Sequence, residues 1–200
     1  MIHNFDLLQT RSNIPITQVQ IVPNFLHPHE ISFVLEMANS LRVEQGKILG
    51  RNTNPALVLR QSDIKWLEWN ESNWWLFTKF VDKIEQLNKA IWTFDLFGVN
   101  EYFQYTEYHG MASNRGHYDW HIDISHDGLT SNRKISFECI LDDDHDGGEF
   151  SMLLGPTENK FKLNKGDVVF YPSYLLNKVY PVTRGTRRSL VGWISGPSFK

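Results

Sequence analysis

The chain has 200 residues, a formal net charge of −3 and a pI near 6.2, with 22% charged and 41% hydrophobic residues. That balance, with no basic cluster larger than Arg184, Arg187 and Arg188, argues against a nucleic-acid partner, because phosphate binding needs a clustered positive surface. The one cysteine, Cys139, excludes an internal disulfide, no segment reaches membrane-spanning length, and "MIHNFDLLQTRSN" lacks the apolar run of a signal peptide, so a soluble cytoplasmic protein is expected.

Residues 16–22, "ITQVQIV", alternate like a strand. "HPHEISFVLEMANSL" predicts a helix, with Pro28 in its first turn and Ile31, Val34, Leu35, Ala38 and Leu41 on one side. Gly, Asn and Pro over 46–64 predict a loop carrying short strands. A second helix follows in "WWLFTKFVDKIEQLNKAIW", where Phe77, Phe80, Val81, Ile84, Leu87 and Ile91 recur at helical spacing. After residue 92 the chain breaks into short β-rich stretches: 93–97, 101–108, 117–124, 133–141, 149–154, 160–163, 167–171, 175–180 and 187–194. Turn signals such as "DGLTSN", "GPTEN", "NKGD" and "TRGT" separate them. Many short strands in a hundred-odd residues predict a sandwich or jelly roll, with the helices on one outer face of a sheet. The expected protein is a single domain, mainly β with flanking helices: residues 1–92 supply an N-terminal strand and supporting helices, and 93–200 the jelly-roll core.

The candidate chemistry lies in "HYDWHID", residues 117–123. Read as a regular strand, it sends His117, Asp119, His121 and Asp123 to one face and Tyr118, Trp120 and Ile122 to the other. Two metal-ligand pairs at i, i+2 result, His117–Asp119 and His121–Asp123; periodicity does not separate them, and the second adjoins the loop where a site could open to substrate. The competing reading is a histidine and an aspartate hydrogen-bonded across a wet surface. Cys139 alternates with Ile135, Phe137 and Leu141, which is the pattern of core packing. "DDDHDGGEF" lacks the regular ligand spacing of a calcium loop. Trp66, Trp69, Trp74 and Trp75 read as helix-packing residues before they read as a substrate wall.

Together with "HYDWHID", the stretches "RKISFECIL", "GGEF" and "KGDVVFYPSYLLNKVYPVTRGTRRSLVGWISGP" resemble the iron(II)/2-oxoglutarate-dependent dioxygenases, in the branch similar to prolyl 4-hydroxylases. The resemblance runs from about residue 101 to 197. It implies a double-stranded β-helix, a cupin-like jelly roll with iron at one mouth, held by a histidine-x-aspartate pair and a distal histidine. On this basis His121 and Asp123 match the proximal ligands, and Arg187 matches the arginine that grips the far carboxylate of 2-oxoglutarate, a task suited to its planar fork of donors. Ser189 adds a hydroxyl on the same face, and Tyr108 in "QYTEYHG" matches a cosubstrate-binding tyrosine, with Tyr105 or Tyr102 as alternatives because "GMASNR" is inserted nearby. The implied activity is an oxidoreductase that couples 2-oxoglutarate decarboxylation to C–H hydroxylation, with Fe(II) as metal and ascorbate as reductant. Its substrate would be a peptidyl residue or a small molecule, with no nucleic acid or membrane involved.

One position departs from the pattern. The distal histidine should fall ten residues before Arg187, where the chain has Asn177, and none of its eight histidines lies after His145. A carboxamide oxygen can coordinate a cation but is neutral and less basic than imidazole. Asn177 as a weak ligand, a water in its place, or a nearby His117 or His145 swinging in are the alternatives. The departure also raises a second reading of function, a pseudoenzyme that keeps the jelly roll to bind a ligand or protein. The loops expected to set the substrate, 46–64, 109–116 and 125–132, carry no readable code.

Overall fold

The computed structural model describes residues 18–46, 59–111, 114–126 and 128–198; the N-terminal stretch through residue 17 and most of the 46–64 loop lie outside the described residues. The first half contains β1 (Gln20–Val22), α1 (Pro28–Asn39), β2 (Glu44–Gln45), β3 (Arg60–Gln61), β4 (Asp63–Leu67) and α2 (Trp74–Leu87). The second contains β5 (Phe103–Met111), β6 (Asn114–Arg115), β7 (His117–His121), β8 (Arg133–Ile140), β9 (His145–Gly147) and β10 (Phe150–Leu154). It continues through β11 (Thr157–Phe161), β12 (Val168–Pro172), β13 (Asn177–Val179) and β14 (Val182–Ser195).

Two antiparallel sheets face each other as a jelly roll. The larger runs β1-β12-β8-β14-β5-β4-β2, with β6 on β5 and β9 on β14; the smaller runs β11-β10-β13-β7-β3. Strands that pair across long loops, such as β12 with β8 and β14 with β5, close the two layers.

The helices form where the apolar spacing predicts and cover the outer face of the larger sheet. In α1 the His27 amide donates to Glu30 Oε2 at 2.7 Å, and Ile31, Val34 and Ala38 are buried. In α2 the buried side chains are Leu76, Phe77, Phe80 and Ile84. Phe77 stacks on Phe103 and Phe80 on Phe137, each with ring centroids 4.0 Å apart. A wider π-helical turn, Asn88–Trp92, ends the helix at Thr93, which takes φ 54°. The Asn88 side chain then receives the Phe94 amide and donates to the Phe94 carbonyl, both at 2.9 Å. This clamp accounts for a correction. Residues 93–97 do not form the expected strand, because the chain leaves α2 already turned, and it meets the sheet at Ser195 through the Phe97 amide and the Gly98 bridge.

Strand β8 is buried on both faces, and its alternation divides the molecule's two interiors. Ile135, Phe137, Cys139 and Leu141 join the helix-side core, so Cys139 is a packing residue whose thiol burial pushes up in pKa. Ser136 and Glu138 point the other way, between the sheets. There Tyr108, Phe150, Met152, Val169, Tyr171, Val179 and Val182 form a second cluster. Trp75 packs against Phe33 in the helix layer, whereas Trp69 and Trp74 are more than half exposed and pair edge to face with each other. No helix among the described residues is long and apolar enough to cross a membrane.

Candidate functional site

Regular alternation fails in β7, and that failure builds the site. Against β13, Tyr118 is opposite Val179 and His121 is opposite Asn177, so three steps along β7 span two along its partner. The extra residue is a β-bulge, which reverses the alternation between Tyr118 and His121. The two rings therefore lie on one side, stacked 3.4 Å apart and 9° from parallel. This corrects the single-face expectation for "HYDWHID". His117 Nδ1 instead faces the Arg115 carbonyl at 2.8 Å, and Asp119 forms a half-buried pair with Lys178 at 2.8 Å. Past the bulge, His121 and Asp123 turn towards each other.

His121 Nδ1 lies 2.8 Å from the Asp119 carbonyl. A carbonyl only accepts, so Nδ1 carries the proton and Nε2 presents its lone pair. Nε2 lies 3.6 Å from Asp123 Oδ1, and both side chains are shielded from solvent. Two lone-pair donors at that separation, too far for a good hydrogen bond, suit a shared cation bound at about 2 Å from each. Asp123 is fixed on all sides: its amide donates to the Ser173 carbonyl at 3.0 Å, Arg133 Nη1 donates to its carbonyl at 3.0 Å, and the Tyr171 hydroxyl donates to Oδ2 at 3.1 Å. Burial works against its ionisation, but the adjacent imidazole when protonated at Nε2, the charge of Arg133 and the Ser136 hydroxyl outweigh it and hold the carboxyl at about 2. Arg133 is anchored in turn by Glu101 through its Nε at 2.7 Å and stacks on Trp193 at 3.6 Å.

Asn177 faces this pair from the neighbouring strand and is 2% exposed. Its Nδ2 donates to the carbonyls of His121 and Leu175, both at 3.3 Å, which leaves Oδ1 as the atom free to coordinate. Among the described residues no third His, Cys, Asp or Glu joins His121 and Asp123. His145 is held by Asp142 at 2.5 Å, and His117 by the Arg115 carbonyl on the far side of the bulge. His121 and Asp123 thus offer one imidazole and one carboxylate at the same point, with the Asn177 carboxamide on the paired strand.

The second half of the site lies further along the same interior. Arg187 on β14 is 1% exposed and is the cross-strand neighbour of Tyr108, with its guanidinium carbon 5.6 Å from the phenol ring centre. Its Nη1 donates to Glu138 Oε1 at 2.7 Å and to Ser189 Oγ at 3.4 Å. Room for the side chain comes from Gly148, at φ 69°, where a Cβ would stand 2.7 Å from Arg187 Cδ. Tyr108 lies between the sheets, and burial raises its pKa to about 12, keeping the phenol a donor. Tyr105 belongs to the helix-side core and donates to Glu107 at 2.9 Å, and Tyr102 is exposed, so neither shares the Arg187 interior.

Strand β8 joins the two halves: Ser136 supports Asp123 and Glu138 holds Arg187. Residues two apart on a strand are separated by roughly 7 Å, about the span of a five-carbon diacid. Sequence reasoning missed Ser136, Glu138, Tyr171 and Arg133. The alternation of "RKISFECIL" contains a signal for the first two, since a polar residue at every second position of a fully buried strand points into a polar site. Of the other two arginines in the basic cluster, Arg184 pairs with Asp144 and Asp146 of the acidic turn and Arg188 with Glu107.

Comparison with known proteins agrees with this architecture. The family model described as the 2OG-Fe(II) oxygenase superfamily matches residues 103–195. A PKHD-type hydroxylase of Prochlorococcus marinus is 42% identical over 86 residues, covering 42% of this chain and 38% of that protein. One from Colwellia psychrerythraea is 41% identical over 86 residues, covering 40% and 37%. The chain thus matches well under half the length of these relatives. Among solved structures, a Pseudomonas putida prolyl-4-hydroxylase superposes with a TM-score of 0.67 at 20% identity, covering 90% of this chain and 94% of that one. A Trichoplax adhaerens prolyl hydroxylase, solved with a hypoxia inducible factor peptide fragment, gives 0.72 at 18% identity, covering 90% and 84%.

Proposed function

We infer that the chain, whose residues 103–195 match the 2OG-Fe(II) oxygenase superfamily model, is an Fe(II)- and 2-oxoglutarate-dependent hydroxylase. The observation that carries the reading is the convergence of His121 Nε2 and Asp123 Oδ1 at 3.6 Å, with Nδ1 committed to a carbonyl. Bound iron would supply the oxidising power, coupling decarboxylation of the 2-oxo acid to hydroxylation of a C–H bond.

The protein's own residues supply geometry. His121, Asp123 and Asn177 Oδ1 are the proposed ligands; the Tyr118 ring fixes the imidazole plane, and Tyr171 and Arg133 fix the carboxylate. Arg187, Ser189 and Tyr108 are the proposed holders of the cosubstrate's far end. The hydrogen bond from Tyr171 to Asp123 and the one His121 donates to the Asp119 carbonyl orient the proposed ligands much as supporting partners do in other metal sites. Ascorbate is the proposed reductant, and a cytoplasmic setting belongs to the same proposal because a reducing compartment keeps iron ferrous. The relatives are named for PKHD-type and prolyl hydroxylation, and for this chain we propose a peptidyl residue or small amino-acid-like molecule as substrate.

Asn177 favours one competing reading, a binding protein with little turnover, because a neutral carboxamide oxygen is a weaker metal donor than an imidazole nitrogen. Succinate release in the presence of Fe(II), 2-oxoglutarate, ascorbate and oxygen separates the two. Turnover by the native protein that disappears in His121→Ala supports the enzyme; turnover only in Asn177→His supports the disabled site. If neither protein forms succinate and neither gives the visible absorption of an anaerobic iron–oxo acid chelate, the hydroxylase reading is wrong.

A further inference from the structure

The cation assigned to the cosubstrate's far carboxylate already has a carboxylate of its own. Both hydrogen bonds that Arg187 gives among the described residues leave from Nη1, and the shorter goes to Glu138 at 2.7 Å. Glu138 is 3% exposed, and Arg187 is its one ion-pair partner among the described residues. Neither charge is shared with the solvent. Arg187 also lines a cavity of about 140 Å³ with His145, Glu149, Phe150, Phe161 and Lys162, on a side that none of His121, Asp123 and Asn177 lines.

This arrangement changes what the pocket prefers. A carboxylate that reaches an unpaired buried guanidinium gains a charge-assisted, bidentate contact. One that reaches a guanidinium already neutralised meets a second negative charge a few ångströms away, in a medium where water screens little. An uncharged end of the same length meets no such repulsion. The neighbouring groups do not reverse this: Ser189 and Tyr108 are neutral, His145 pairs with Asp142, and Lys162 and Glu149 are exposed and opposite in sign.

We propose that Glu138 is a specificity-determining residue of the cosubstrate pocket, cancelling the advantage of a second carboxylate so that 2-oxo monocarboxylic acids are bound alongside 2-oxoglutarate. The proposal rests on the hydroxylase reading of the site, in which the oxo acid end lies at His121 and Asp123.

Calorimetric titration of the full chain, with Mn(II) at a concentration shown by EPR to be saturating, tests it with two probes. One is 2-oxoglutarate; the other is 2-oxopentanoate, which has the same chelating end and a methyl group in place of the far carboxylate. The native protein should bind the two within about threefold, and E138Q should gain about tenfold or more for 2-oxoglutarate alone, the factor expected of one charge-assisted hydrogen bond. The glutamine keeps an acceptor for Arg187 Nη1, and the native ratio provides a readout that needs no variant. A native preference for 2-oxoglutarate of about a hundredfold, equivalent to an unopposed anchor, overturns the proposal and leaves the hydroxylase reading standing. An unchanged ratio in a folded E138Q does the same. Failure of both probes to bind either protein removes the cosubstrate site itself, and the role of Glu138 with it.

Discussion

Replacing Asn177 with histidine is the perturbation that bears most directly on the metal site. Asn177 is buried opposite His121, and its amide gives two long hydrogen bonds, each 3.3 Å, to backbone carbonyls. At that length each bond contributes at the low end of the usual range, about 0.5 kcal/mol, so losing one or both costs the metal-free fold about 0.5–1 kcal/mol. The bulkier ring adds about 1 kcal/mol of crowding in a packed interior. Against this, an imidazole completes the set with His121 and Asp123. Even supporting residues around a metal change affinity about 10–100-fold, so a directly coordinating ring should improve Mn(II) or Fe(II) affinity at least that much, or about 1.4–2.7 kcal/mol. The expected signature is a split: the Asn177→His protein melts lower than native without metal and at least as high with saturating metal. EPR titration of free Mn(II) gives the affinity and calorimetric melting gives the stability. An unchanged metal affinity in a protein whose circular dichroism is native would refute the convergence of residues 121, 123 and 177 on one ion.

The bulge makes a second prediction: His121→Ala and Asp123→Ala should abolish measurable Mn(II) binding, whereas His117→Ala and Asp119→Ala should leave it within about threefold, since His117 faces the Arg115 carbonyl and Asp119 pairs with Lys178. Arg187→Leu strands the buried Glu138 carboxylate and should destabilise the protein by about 3–5 kcal/mol in urea unfolding; Arg187→Leu with Glu138→Leu should recover most of that. The Glu30–Lys79 pair tests pH dependence. Burial alone would raise the Glu30 pKa, but the bond to Lys79 and the His27 amide hold it below 4.5. A depressed carboxyl contributes stability that is fully present above its unfolded value and lost as pH falls through the folded one. Glu30→Gln should therefore lower the midpoint at pH 7 and shrink the native protein's advantage below pH 4.5, and parallel pH profiles for the two would count against this assignment.

Sequence periodicity carried the helices and most of the jelly roll because those elements bury one face continuously. Phe77, Phe80 and Ile84 recur at helical spacing because one sheet face receives them all, and "RKISFECIL" alternates because two interiors flank a single strand. The stretch over 93–97 misled because its apolar residues alternate like a strand, while the π turn and the left-handed Thr93 that redirect it are backbone events with no distinctive composition. The same limit hid the defining feature of the site. A bulge of one residue inverts a period-two pattern, so "HYDWHID" looks like a four-ligand face when only its second pair enters the interior. What the letters contained without periodicity was the partnership of distant residues: Glu138 and Arg187 are 49 positions apart, and their meeting depends on β8 and β14 lying side by side. A buried acid in an otherwise apolar strand is costly unless a cation awaits it. The letters alone therefore require a partner for Glu138, and among the described residues Arg187 fills that role.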